Sequence, residues 1–170
     1  MTTDHIRHSI DQAIGFLNEH PEDARYTDRP ATAVVNGLRA QVTGEHGESL
    51  VSDMPKGVGG EGSAPTPGWL LRAAMASCDA TVIAMRAAQE GIELTTLEVT
   101  VTGESDDRGL LGMDDSVPAG PLTARIHVTI AAEGVSPEKL QEIVDWADAH
   151  SPVADAVKRA VPTSVVVETI

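Results

Sequence analysis

Ile6, Ile10, Ala13, Ile14 and Leu17 recur at helical spacing, with His5, His8 and Asp11 on the opposite side, and this predicts an amphipathic helix over residues 3–19. Residues 20–30 carry no such period and read as a polar linker from His20-Pro21 to Arg29-Pro30. Two short strand-like runs follow, 31–36 and 38–43, meeting at Asn36-Gly37, a dipeptide suited to a tight hairpin. A second turn over 44–47 leads into a third run, 48–53, so a three-stranded meander is expected.

A loop dense in glycine and proline, 54–68, delivers the chain to its most apolar segment. Thr66 suits an N-cap, Pro67 the first helical position, and Gly91 the left-handed residue that closes a helix. Between them, Leu70, Leu71, Met75, Cys78, Val82, Ile83, Met85 and many alanines occupy most of the circumference. Such a helix is expected to be surrounded by protein.

After Gly91 the period becomes two. Leu97, Val99 and Val101 alternate with Glu98, Thr100 and Thr102, and Ile126, Val128 and Ile130 alternate later, on either side of a polar loop, 104–121. Ser136-Pro137 opens a helix with Leu140, Ile143, Val144 and Ala147 on its core face, and Ser151-Pro152 opens a short one to about Ala160. A last strand is expected over 163–169. The order is βββ-α-ββ-αα-β behind an N-terminal helix. Hairpins outnumber crossovers, which implies an α+β fold with largely antiparallel sheets.

Composition narrows the partners. The chain has 170 residues, enough for one core. A net charge of −14 disfavours nucleic acid and anionic membrane surfaces. Four aromatic residues (Phe16, Tyr26, Trp69, Trp146) leave an aliphatic, alanine-rich core. One cysteine excludes an internal disulfide framework. The N-terminus lacks the pattern of a secretion signal, and Arg72, Asp79 and Arg86 interrupt the best candidate membrane span. A soluble cytoplasmic protein is expected, with no cofactor and no metal implied.

Gly57-Val-Gly-Gly-Glu-Gly62 fits G-x-G-x-x-G, but four residues separate it from the helix, and a dinucleotide turn must open the helix directly. A flexible loop over a pocket is the better reading. His5 and His8 are spaced for a metal but have no third ligand nearby, and Asp106-Asp107 with Asp114-Asp115 lack the spacing of a calcium loop. Both read as solvated surface. Cys78 is either an inert core thiol or the reactive atom of an enclosed site. Reactivity requires a thiolate, and mid-helix the thiol needs a cation or donor from elsewhere; Arg39, Arg72, Arg86 and His150 are the candidates by type.

The segment from Gly59-Gly60-Glu61-Gly62 through Thr66-Pro67 to Leu70-Leu71-Arg72-Ala73-Ala74-Met75-Ala76-Ser77-Cys78 resembles the OsmC/Ohr family of organic hydroperoxide resistance proteins. The likeness continues through Gly91-Ile92-Glu93-Leu94, Asp107-Arg108-Gly109 and Ala149-His150-Ser151-Pro152-Val153. It covers about residues 31–169, so the chain divides into an N-terminal helix and linker, 1–30, and an OsmC-like domain, 31–170. The resemblance implies an intertwined homodimer with two active sites at the subunit interface. It implies that the helix cysteine attacks a peroxide, that a second cysteine resolves the sulfenic acid, and that an arginine of the hairpin and a glutamate after the proline step hold the thiolate.

On that likeness Cys78 is the peroxidatic residue and Arg39 stands where the family arginine lies. Ser151 occupies the resolving-cysteine position, and a hydroxyl forms no disulfide. Gly68 occupies the position of the glutamate, for which Glu61 is the nearest substitute. Three functions compete. A one-cysteine peroxidase would reduce organic hydroperoxides with an external thiol. A binding module would hold a small apolar or electrophilic ligand at the dimer interface without turnover. Acyl chemistry would use a Cys78–His150–Asp148 triad.

Overall fold

The computed structural model describes residues 2–159 and 161–169. Helix α1 spans Thr3–Glu19, as its apolar period predicts, with the Thr2 side chain capping its first turn. A single 3-10 turn, Pro21–Ala24, interrupts the polar linker. Strands β1 (Ala31–Asn36), β2 (Arg39–Gly44) and β3 (Ser49–Ser52) form the expected antiparallel meander in the order β1-β2-β3. Asn36 faces Arg39 across the two-residue turn, and Gly37 takes a φ of 62°, which only glycine adopts at no steric cost.

Helix α2 spans Pro67–Gln89, and both of its ends follow the sequence signals. Thr66 Oγ1 accepts from the Trp69 amide at 3.2 Å. At the other end Ile92 N donates to Ala87 O and Gly91 N to Ala88 O, the paired bonds of a Schellman stop, with Gly91 at φ 72°. Strand β4 (Leu94–Glu104) pairs antiparallel with β5 (Thr123–Ala132). The loop between them, expected to be irregular, contains one helical turn, α3 (Asp107–Leu110), capped by the Asp106 side chain. Helices α4 (Pro137–His150) and α5 (Pro152–Lys158) complete the α+β fold.

The core lies where α2 and α4 cover the β4-β5 hairpin. Ile83 and Ala87 meet Ile143 and Ala147, and Leu97, Val99, Val128 and Ile130 close over them from the sheet. The alternating strands and the Leu140–Ile143–Val144–Ala147 stripe thus find the burial their periods predict.

One expectation is met only in part within a single chain, and another is corrected. Helix α2 is not surrounded within one chain: Met75, Asp79, Ile83, Ala87 and Ala88 are buried, while Trp69, Leu71 and Met85 stay exposed. One chain of this size supplies protein for one side of the helix only. The strand expected over 163–169 is absent, and residues 161–169 join no ladder. A strand requires an edge to take its hydrogen bonds, and neither sheet of this chain takes this segment; Val165, Val166 and Val167 are 88%, 85% and 77% exposed. The meander likewise makes no substantial packing contact with the helices or with β4-β5 among the described residues.

Candidate functional site

Cys78 lies in the middle of α2 and is partly buried. Its hydrogen bond comes from the start of α5: Ser151 Oγ donates to Cys78 Sγ at 3.3 Å. Ser151 is fully buried, and the same oxygen accepts from the Ala154 amide at 3.3 Å as the N-cap of α5. Capping fixes the hydroxyl's position, and the short α4–α5 junction brings it against α2. The serine that stands in the resolving position therefore touches the thiol and donates a hydrogen bond to its sulfur.

A cavity of about 490 Å³ opens along the same helix, lined by Gly68, Leu71, Arg72 and Met75 of α2, by Met54 and Pro55, by the 102–124 hairpin and by Val157. Cys78 is not among its lining residues. Met75 lies one turn before Cys78, so the cavity approaches the thiol along the helix. Its walls are mostly apolar, and Arg72 is the cation at the wall. A Cβ built on Gly68 meets nothing nearer than Arg72 Nη1 and Thr66 Oγ1, both at 4.0 Å, so the absence of a side chain there leaves open space at the cavity.

Neither Arg39 of the hairpin nor Glu61 of the loop bonds to Cys78 among the described residues. Arg39 Nη1 donates to Ser63 Oγ at 2.7 Å. Glu61 is exposed and makes no side-chain hydrogen bond among the described residues. The residue that organises this region is Asp53, which sequence reasoning missed. It is 1% exposed and closes the 54–63 loop by accepting from Met54 N at 2.7 Å, Ser63 N at 2.9 Å and Ser63 Oγ at 2.8 Å. These donors, the Ser63 amide and hydroxyl first, hold its carboxyl below the usual aspartate range. The only signal was an aspartate at the end of a strand run before a glycine-rich loop, a position where its oxygens can satisfy turn amides.

The same loop explains the G-x-G-x-x-G match. Gly60 packs so closely on the Met54 carbonyl that a Cβ would stand 1.9 Å from its oxygen, and Gly59 and Gly62 take φ of 93° and 62°. The glycines close a turn, with Gly60 N donating to Pro55 O and Gly62 N to Met54 O.

The triad reading fails. His150 Nδ1 lies 2.6 Å from Trp146 O, and its ring stacks on Trp146 at 4.0 Å. Asp148 pairs with Lys158 Nζ at 2.6 Å. Arg86 is also committed: it pairs with Glu90 at 2.8 Å and lies over Trp146, while Glu90 is depressed by Lys139 first and then by Arg86. Among the described residues, the one cluster of His, Asp and Glu close enough to share an ion is His20, Glu22 and Asp23, fully on the surface and away from Cys78. No helix is long and apolar enough to cross a membrane among the described residues.

Residues 60–166 match the family of OsmC-like proteins. Among solved structures, the OsmC-like protein of Mycoplasma pneumoniae superposes with a TM-score of 0.67 at 17% identity, over 80% of this chain and 91% of that one. The organic hydroperoxide resistance protein OsmC of Legionella pneumophila gives 0.59 at 21% identity, over 79% and 91%. OhrB, the organic hydroperoxide resistance protein of Bacillus subtilis, gives 0.52 at 20%, over 79% and 93%. At these identities the likeness is one of fold. No curated protein sequence matches the chain.

Proposed function

The chain belongs to the OsmC-like protein family, and from that premise we propose that it is a thiol peroxidase working with one cysteine, assembled as a homodimer. The observation that carries this reading is the Ser151 hydroxyl held on the Cys78 sulfur, with a mostly apolar cavity that begins one turn away on the same helix at Met75.

In the proposed cycle the Cys78 thiolate attacks the terminal oxygen of an organic hydroperoxide. An S–O bond forms, the O–O bond breaks, and the alkoxide leaves as the alcohol after taking a proton. The sulfur is oxidised to a sulfenic acid and the peroxide is reduced. Ser151 has no thiol to condense with that product. An external low-molecular-weight thiol therefore attacks the sulfenic sulfur, water leaves, and a second thiol releases Cys78 from the mixed disulfide.

Dimer formation is supported by what one chain leaves bare. Val34, Val35 and Leu38 of the hairpin, Trp69, Leu71 and Met85 of α2, and Val165–Val167 are apolar side chains that one chain leaves exposed and a second copy would cover. The meander stands free of its own core, so Arg39 can serve the Cys78 of a second copy. The organic hydroperoxide resistance proteins among the fold relatives point to the same substrate class.

The test is cumene hydroperoxide consumption by the purified protein with dithiothreitol, alongside dimedone trapping of the oxidised protein. Thiol-dependent turnover, a dimedone adduct at Cys78 and loss of both in Cys78→Ser are the expected results. Consumption that persists undiminished in Cys78→Ser overturns the reading.

A further inference from the structure

A second cavity, of about 200 Å³, lies between α2, α4 and β5. Asp79, Asp145 and Asp148 contribute to its lining, together with Ile83, Ile126, Val128 and Val144. Asp79 is 4% exposed, and its Oδ1 is fully enclosed without a hydrogen-bond partner. A carboxyl removed from water is costly unless a donor or cation meets it. Nothing nearby supplies one: Lys158 is held by Asp148, Gln141 Nε2 donates to Asp145, and no ion pair reaches Asp79 or Asp145 among the described residues.

We propose that this cavity is a binding site for a small aliphatic amine, its ammonium group meeting the Asp79 carboxylate and its methylenes lying on the isoleucine and valine walls. Asp79 and Asp145 have no cation partner among the described residues and select positive charge, while Asp148 is already paired with Lys158. Their spacing argues against a bare metal ion, because the three do not converge as ligands of one ion do. The aliphatic walls favour an alkyl chain over a hydrated cation. Asp145, exposed at the rim, draws the cation in, and a diamine places its second charge against it. This site makes no use of Cys78 and does not depend on peroxidase activity.

The experiment is calorimetric titration of the full-length protein with 1,4-diaminobutane at neutral pH, with calcium chloride and butan-1-ol as parallel titrants. Saturable binding of one diamine per chain is expected, weakened about tenfold or more in Asp79→Asn and also weakened in Asp145→Asn. Asp145 is a surface residue, so its variant keeps the test valid should Asp79→Asn fail to fold. Absence of diamine binding at millimolar concentration, unchanged affinity in both variants, or calcium binding with the same dependence on Asp79 each overturns the proposal. So does a change in oligomeric state in Asp79→Asn with no diamine binding to the wild type, which assigns the cavity to a cationic side chain of a second copy.

Discussion

Ser151 Oγ lies 3.3 Å from Cys78 Sγ, across 73 positions of sequence, and the serine is wholly buried while the cysteine is not. The hydroxyl serves two helices at once, capping α5 and facing the thiol of α2. Its two duties separate in mutants.

Ser151→Ala removes both. Loss of an N-cap costs about 1 kcal/mol of stability. Loss of the donor to sulfur slows oxidation of Cys78 by roughly tenfold, the worth of one hydrogen bond to a charged group. Stopped-flow oxidation rates and urea midpoints measure the two effects independently. A rate equal to wild type shows that the hydroxyl is a cap alone.

Ser151→Cys restores a second thiol at a position already in contact with the first. Peroxide treatment is expected to close a disulfide with Cys78, read as loss of both free thiols and of two hydrogens in the intact mass. Turnover then no longer requires the reductant to attack a sulfenic acid. Persistence of a dimedone-reactive sulfenic acid in this variant shows that the two side chains cannot reach bonding geometry.

Arg39 is expected to act across the dimer. Arg39→Ala and Cys78→Ser proteins, each inactive or nearly so, regain peroxidase activity when unfolded and refolded together, because hybrid dimers contain one complete site. No regain on mixing places the arginine with its own chain's cysteine or removes it from catalysis.

Gly68→Glu fills open space. The new side chain sits in the first turn of α2, where a glycine is unfavourable and an acidic group meets the helix N-terminus, and a stabilisation of about 1 kcal/mol is expected. Arg72 is within reach of the added carboxylate. A lower Tm shows that the cavity wall does not accommodate the side chain.

Asp53 makes stability depend on pH. Its carboxyl is depressed in the folded chain, by Ser63 above all, so its contribution is complete above the ordinary aspartate range and is lost as pH falls through the lower folded value. The difference in urea midpoint between wild type and Asp53→Asn is therefore largest near neutrality and shrinks in acid. A difference independent of pH shows that the loop does not depend on the charge.

Much of the fold was legible because its signals are local. The hairpin at Asn36-Gly37, the Thr66-Pro67 start and Gly91 stop of α2, and the serine-proline caps of α4 and α5 depend on neighbouring residues whose backbone groups need partners. The alternating runs of β4 and β5 and the apolar stripe of α4 told which faces are buried, since burial follows the period of each element.

The site was legible only as a list of residue types. That Ser151 rather than His150 faces Cys78, that Asp53 locks the glycine-rich loop, and that Asp79 closes on a cavity with no cation all depend on segments far apart in sequence. Residues 163–169 have the composition of a strand yet lie unpaired, because a strand is made by its partner and not by its own side chains. Sequence alone determined the elements and their inward faces, through rules that act over one or two turns. Tertiary structure decided which polar atoms meet, because a hydrogen bond reaches about 3 Å and no pattern along the chain specifies which distant atoms come that close.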